Sequence, residues 1–300
     1  MLAHTAEQPI NGPVQEMVLR APAKINLCLH VIGRRPDGYH ELFSLMCGVA
    51  LYDHLVLGIG AAENTIQCDH PGVPADESNL ALKAALLFNQ TLDRDIGIRP
   101  QPVSIRLTKH IPAGGGLGGG SSDAAAMLKG LNDHYGAPFD RQRLLALALR
   151  LGADVPFFID QRPALAEGIG ERLTPYHGLP AFGVVLVCPD FGISTAQVFG
   201  SLNFGLTKSK KKLRYKPFKN GNFSATDHLH NDLEAGVIRR FPVIEKIKKM
   251  LLDQGAIGSL MSGSGSTVFG LFEDQEAAGR AAKRLDRPDA WQVFATRLLV

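Results

Sequence analysis

Long apolar runs are missing from this chain. A membrane-spanning helix needs roughly 20 consecutive apolar residues, and the longest clean run of the C-terminal half is only Ala181–Cys188. That argues against a helical membrane protein. Met1–Gln15 carries His4, Glu7, Pro9 and Pro13 and has no apolar core, so it reads as a loose tail and as neither a signal peptide nor an anchor. Cysteine is scarce: Cys28, Cys47, Cys68 and Cys188 are widely spaced, with no C-x-x-C pair. This argues against a disulfide scaffold or a zinc cage and suits a reducing compartment, so a cytoplasmic location is expected. The ten histidines include no H-E-x-x-H pattern. His228-x-His230 could in principle form a metal pair but fits an exposed loop better, and no metal-ligating residue is expected.

What is present describes a globular protein. The apolar fraction is 45% with 20% charged residues, and 300 residues suffice for one large domain or two of ordinary size. The formal charge of +3 conceals a local excess. Lys208, Lys210, Lys211, Lys212, Arg214, Lys216 and Lys219 place seven positive charges within twelve residues, and the remainder carries −4. With Tyr215 and Phe218 interleaved, the segment has the composition of a nucleic-acid-binding stretch. A solvated loop closed by Asn220-Gly221-Asn222 is the simpler reading, and nucleic acid is not expected as a partner.

The most informative stretch holds six glycines in seven residues: Gly114, Gly115, Gly116, then Leu117, then Gly118, Gly119 and Gly120. Glycine permits positive φ and lets a ligand approach the main chain. Ser121-Ser122-Asp123 follows with helix N-cap chemistry. Ala124, Leu128, Leu131 and Tyr135 then recur at helical spacing, with Gly136 and Pro138 as a stop. A glycine loop opening a helix offers unpaired N–H groups and the positive end of the dipole to an anion, so a nucleotide phosphate site is expected here. The lysine of a Walker A loop is missing. Gly114-x-Gly116-x-x-Gly119 fits the dinucleotide fingerprint, but the acidic ribose ligand expected about 20 residues later is absent.

Elsewhere the pattern mixes strands and helices, which implies an α+β fold in two halves with a cleft between them. Ile25, Leu27, Leu29 and Val31 alternate with Lys24, Asn26, Cys28 and His30, which puts Lys24 and Asn26 on one face of a strand. Arg35–Gly38 is a turn. Ser78 or Asn79 caps a helix through Phe88; Val103–Thr108 is a half-buried strand; Asp140 caps a helix over Arg141–Leu151, closed by Gly152. Asp154 then lies between that helix end and an apolar segment, Val155–Phe158, expected as a strand. In the second half, Val184–Val187, Ile257–Met261, Thr267–Phe272 and Trp291–Val300 read as strands. Asn231–Arg240, Pro242–Leu252 and Asp274–Leu285 read as helices.

Three motifs carry a resemblance. Pro22-Ala23-Lys24-Ile25-Asn26-Leu27 with Asp37-Gly38-Tyr39-His40-Glu41-Leu42, the Pro112–Ala126 glycine stretch, and Met261-Ser262-Gly263-Ser264-Gly265-Ser266-Thr267 resemble, in this order, the three motifs of the GHMP kinases. The resemblance runs from about Val18 to the C-terminus. It implies a two-domain α+β kinase with an interdomain active site: a tail over 1–16, an ATP-binding domain over 17–162 and a substrate-side domain over 163–300. ATP is the implied co-substrate, with Mg²⁺ carried mainly by its phosphates. The implied acceptor is a small cytidylyl sugar alcohol, phosphorylated on a hydroxyl. Positions matching the catalytic pair are Asp154 and Lys24. Asn79 and Lys109 match contacts to adenine; Pro112, Gly114, Gly115, Gly116, Leu117, Gly118, Gly119, Gly120, Ser121 and Ser122 match the phosphate side. Asn26, Tyr39, His40, Thr195, Phe199, Gly263 and Gly265 match the acceptor side, with Phe199 opposite Tyr39 and His40 to sandwich a pyrimidine.

Overall fold

The computed structural model describes residues 14–200 and 222–300. The lysine-rich run and most of the N-terminal tail therefore lie outside the described residues.

One long strand organises the rest. β1 (Gln15–Arg34) and β2 (His40–Ile59) form an antiparallel hairpin, paired from Gln15 opposite Ile59 to Arg34 opposite His40. The expected turn joins them: Gly38 takes φ +89°, and its N–H donates to Arg35 O at 3.1 Å. Gln15 and Glu16, assigned to the tail from sequence, are strand residues. The other edge of β2 serves three partners in succession. β5 (Ala164–Gly168) pairs with Leu42–Met46, β11 (Gln292–Leu299) with Gly48 and Val49, and β4 (Val103–Thr108) with His54–Ile59. β3 (Thr65–Cys68) extends β4, and β6 (Arg172–Pro175) extends β5. The same β11 runs on to β7 (Gly183–Cys188), which leads to β10 (Val268–Phe272) and β9 (Gly258–Met261). The short β8 (His230–Asn231) lies parallel to β1. Among the described residues, eleven strands thus form one continuous sheet. The division expected at residue 162 precedes β5, yet β5 pairs with β2 of the N-terminal half and carries β6 on its other edge.

Helices cover the N-terminal part. α1 (Leu80–Ile96) begins at Asn79, whose side chain accepts from Ala81 N, and ends at left-handed Gly97. α2 (Gly119–His134) packs on α1 and β1. α3 (Arg141–Leu151) is capped by Asp140, whose carboxylate accepts from Arg143 N at 2.8 Å. α4 (Val155–Asp160) is a helix, not the expected strand. A short apolar run does not distinguish the two by periodicity, and Pro156 in the first turn favours the helix. α2 also starts earlier than expected. Its N-cap is Gly118, with no side-chain cap, so Ser121, Ser122 and Asp123 fall inside the first turns. Beyond them come α5 (Thr195–Gly200), α6 (Ala225–His228), α7 (Glu234–Arg240), α8 (Val243–Asp253) and α9 (Gln275–Arg284). The helix expected over Asn231–Arg240 begins only at Glu234, because His230 and Asn231 join β1 as β8.

Candidate active site

β1 passes beneath the glycine loop and is bonded to it: Lys24 N–H donates to Leu117 O at 2.9 Å. The Lys24 side chain is nearly buried, and its Nζ donates to Asn26 Oδ1 at 2.7 Å while lying 3.3 Å from Asp154 Oδ2. Asn26 Nδ2 donates to Ser44 Oγ at 2.8 Å, and Ser44 donates in turn to Cys28 O at 2.6 Å. The ammonium is thus oriented by a chain of fixed partners, whereas the Asp154 carboxylate stays 39% exposed. Asp154 immediately precedes α4, and the burial of Phe157 and Phe158 anchors it there.

The glycine loop needs its glycines for two reasons. Gly114, Gly116 and Gly118 have φ of +71°, +77° and +70°, a region that side chains disfavour. Space is also lacking. A Cβ on Gly118 would sit 3.1 Å from the Lys24 side chain and 3.0 Å from Phe158, and one on Gly116 would sit 2.2 Å from Ser262 O. The latter approach joins the second and third motifs back to back, reinforced by Ser262 Oγ donating to Gly116 O (3.0 Å) and Thr267 N–H to Gly115 O (3.2 Å). Gly263 completes the convergence: a Cβ there would lie 3.3 Å from Asn26 Oδ1 and 3.5 Å from Lys24 Nζ.

These loops surround a cavity of about 1040 Å³. Of the residues expected at the site, all but Ser122 and Gly265 line it. Ser122 is fully buried within α2, and Gly265 packs behind its loop against Met261. On the acceptor side, Thr195 Oγ1 and Ser264 Oγ share a hydrogen bond at 2.8 Å. The His40 and Phe199 rings stack directly, with centroids 5.1 Å apart, so a base does not fit between them as they stand. Tyr39 is 58% exposed. Burial, followed by the nearby Arg34 charge, lowers the His40 pKa.

Two residues expected at adenine have other partners. The Asn79 amide caps α1 and donates to Pro74 O at 2.7 Å. The Lys109 ammonium is buried between Asp53 and Asp123. Asp53 Oδ1 also accepts from His110 N (2.7 Å) and Ile111 N (2.8 Å), so one fully buried carboxylate holds the segment that enters the glycine loop. Burial pushes the Asp123 carboxyl up to about 7, against the pull of Lys109. Burial also acts to lower the Lys109 pKa, but Asp123 and Asp53 outweigh it and raise the value. Sequence reasoning misses Ser44 and Asp53. Ser44 is a polar residue between Phe43 and Leu45, which is the available signal, whereas Asp53, between Tyr52 and His54, offers none. His228 and His230 do not come together: His228 Nδ1 accepts from Ser224 N, whereas His230 pairs with Asp232 at 2.6 Å and stacks on His30.

Among the described residues, no helix is long and apolar enough to cross a membrane. The description "GHMP kinases N terminal domain" matches residues 79–162, and "GHMP kinases C terminal" matches 214–289. The chain is 48% identical, over 92% of its length and 96% of the relative's, to the 4-diphosphocytidyl-2-C-methyl-D-erythritol kinase of Syntrophotalea carbinolica. It is 42% identical over 95% of its length to the whole of the enzyme of that name from Citrifermentans bemidjiense. A crystal structure titled 4-(cytidine 5'-diphospho)-2C-methyl-D-erythritol kinase superposes with a TM-score of 0.76 at 37% identity, covering 94% of this chain and 99% of that one. A homoserine kinase from Cytophaga hutchinsonii shares the fold at 19% identity and a TM-score of 0.70, over 99% of this chain and 98% of its own. The chain belongs to the GHMP kinases and, among them, to the family of 4-diphosphocytidyl-2-C-methyl-D-erythritol kinases.

Proposed function

We propose that the chain transfers the γ-phosphoryl group of ATP to the 2-hydroxyl of 4-diphosphocytidyl-2-C-methyl-D-erythritol, giving the 2-phosphate and ADP. The observation that carries this reading is the pairing of Lys24 and Asp154 on one wall of the cavity, directly beside the glycine loop. Phosphoryl transfer passes through a loose transition state, so it asks the protein mainly for positioning and charge neutralisation. The N–H groups of the glycine loop and the N-terminus of α2 supply both on the donor side. An aspartate is far too weak a base to deprotonate an alcohol in the ground state. Asp154 therefore takes the acceptor proton late, as the new P–O bond forms and the hydroxyl becomes acidic. Lys24 holds the carboxylate in place and faces the charge developing on the transferred group.

The residues at the start of α2 fit a magnesium ion carried by the nucleotide. Asp123 lines the cavity, and its Oδ1 is buried without a hydrogen-bond partner among the described residues. Mg²⁺ keeps most of its water and phosphate ligands and needs only one or two protein oxygens. Asp123 offers one, and the ion when bound neutralises charge on the β- and γ-phosphates. The acceptor is held between Asn26, Thr195 and the Gly263–Ser264 turn, with its base against Tyr39, His40 and Phe199 once the two stacked rings part.

The test is ADP release with Mg-ATP and the cytidylyl acceptor, run beside mevalonate, homoserine and galactose. Turnover with the first alone is expected. Equal or greater turnover with another alcohol would move the reading to a different acceptor within the superfamily.

A further inference from the structure

A short segment outside the three motifs, His230–Glu234, is bonded to two of the elements that meet at the cavity. Its main chain joins β1: Asn231 lies opposite Leu29, and Asp232 N–H donates to Leu29 O at 3.0 Å. The Asp232 carboxylate accepts from Val31 N at 2.7 Å. The buried Asn231 side chain faces the other way. Its amide donates to Met261 O at 2.9 Å and to Gly263 O at 2.8 Å, while its Oδ1 accepts from Leu233 N at 3.0 Å. Glu234 accepts from Met261 N at 2.8 Å and pairs with Lys248.

We propose that Asn231 is a positioning residue for acceptor binding, setting the Ser262–Gly263 turn relative to Lys24 and Asn26. The geometry is that of a clamp. The two carbonyls it ties flank Ser262, and the turn between them is the part of the third motif that approaches the catalytic strand. With φ of +55° at Gly263, the turn is closed by two bonds of its own, Ser262 N–H to Thr267 O and Gly265 N–H to Ser262 O at 2.9 Å each, and takes further support from outside. Asn231 supplies it from a residue whose main chain is already paired with β1. The side chain is well suited: its amide group donates to both carbonyls while its oxygen accepts the Leu233 N–H. An alanine would leave two carbonyls without donors, and an aspartate would turn acceptors toward them. Asn231 does not line the cavity, so its effect passes through the position of Gly263 and Ser264.

This inference rests on the acceptor reading above, and its test separates the two. In full-length Asn231→Ala, the KM for the cytidylyl acceptor should rise at least about tenfold, the KM for ATP should stay within about threefold, and kcat should fall less than the acceptor KM rises. Hydrogen exchange in the peptide covering residues 260–267 should accelerate, while α1 keeps its wild-type rate. Equal rises in both KM values, an unchanged acceptor KM, or exchange accelerated throughout the chain would overturn the proposal. Should Asn231→Ala fail to fold, Glu234→Gln loosens the same turn more mildly. It should raise the acceptor KM about threefold with the same local exchange signature, and no change in either would likewise overturn the clamp. A wild-type protein inert toward this acceptor would sink the proposed reaction, while the exchange comparison would still decide whether Asn231 holds the turn.

Discussion

Two lysine–aspartate groups flank the glycine loop, and they are built to opposite specifications. Lys109 is sealed between Asp53 and Asp123, with side-chain exposures of 3%, 0% and 3%. Lys24 is almost as buried, but its aspartate is 39% exposed and lies at a looser 3.3 Å. The sealed group accepts hydrogen bonds, through Asp53, from the backbone N–H groups of His110 and Ile111, which lead into the loop. Both groups border the cavity, but only the open one leaves its carboxylate exposed there. The same pair of residue types thus serves as a brace in one place and as a reactive pair in the other. Solvent access to the carboxylate separates the two roles.

The sharpest way to break the comparison is to disable the open group alone. Asp154→Asn should lower kcat by about 10²–10⁴-fold, the usual contribution of a positioned general base, with ATP affinity and unfolding midpoint close to wild type. Retention of more than about a tenth of wild-type kcat would remove Asp154 from the chemistry. The sealed group should respond in stability instead. Lys109→Met leaves two carboxyl groups buried without their cation, and breaking a buried pair in this way costs about 3–5 kcal/mol. Urea unfolding would read it directly. A variant as stable as wild type with merely weakened ATP binding would show that Lys109 serves the nucleotide and not the fold.

A smaller effect probes the element between the two groups. Gly118→Ala forces a side chain into a left-handed conformation, at about 1–2 kcal/mol, and presses on Lys24 and Phe158. The kcat/KM for ATP should drop at least about tenfold with only a modest loss of stability. An unaffected kcat/KM for ATP would mean that the loop tolerates a shift at its last positive-φ residue.

The contrast also explains what can be read from the chain before its structure. Lys24, Asn26 and the glycine run carry local signals: alternation on a strand, and a composition few other structures need. Asp154 is conspicuous as a carboxylate beside an apolar run, even though that run proves helical. β2, in contrast, carries no clean alternation, because its central residues from Phe43 to Val49 are buried on both faces. With β2 unrecognised, Ser44 and Asp53 have no place in a site read from sequence. Asp123 is hidden for a related reason. Ser-Ser-Asp after glycine is cap chemistry by sequence, but α2 begins at Gly118 without a side-chain cap, and Asp123 turns instead to Lys109. Residues whose role is to pair across the fold leave no spacing to detect.

The finest test of the sealed group is its response to pH. Burial raises the Asp123 carboxyl from its ordinary value of 3.8 to about 7 in the folded protein, whereas in the unfolded chain it titrates near ~4. Between those values the folded state binds a proton that the unfolded state does not. The resulting stabilisation is fully present below the unfolded value and is lost as pH rises through the folded one. Wild type should therefore lose about 2–3 kcal/mol more stability than Asp123→Asn between about pH 5 and pH 8, the slope being set by one differential proton. The asparagine of that variant keeps an acceptor for Lys109 and has nothing to titrate. Urea midpoints across this range, without nucleotide, measure the difference. Parallel profiles would mean that Lys109 already keeps Asp123 ionised throughout, so that the sealed group is a plain ion cluster. A difference that changes with pH and levels off near about 7 would mark Asp123 as protonated in the resting protein. In that case Mg-ATP, by using the carboxylate, should release a proton on binding at about pH 6, and calorimetry in buffers of different ionisation enthalpy would count it.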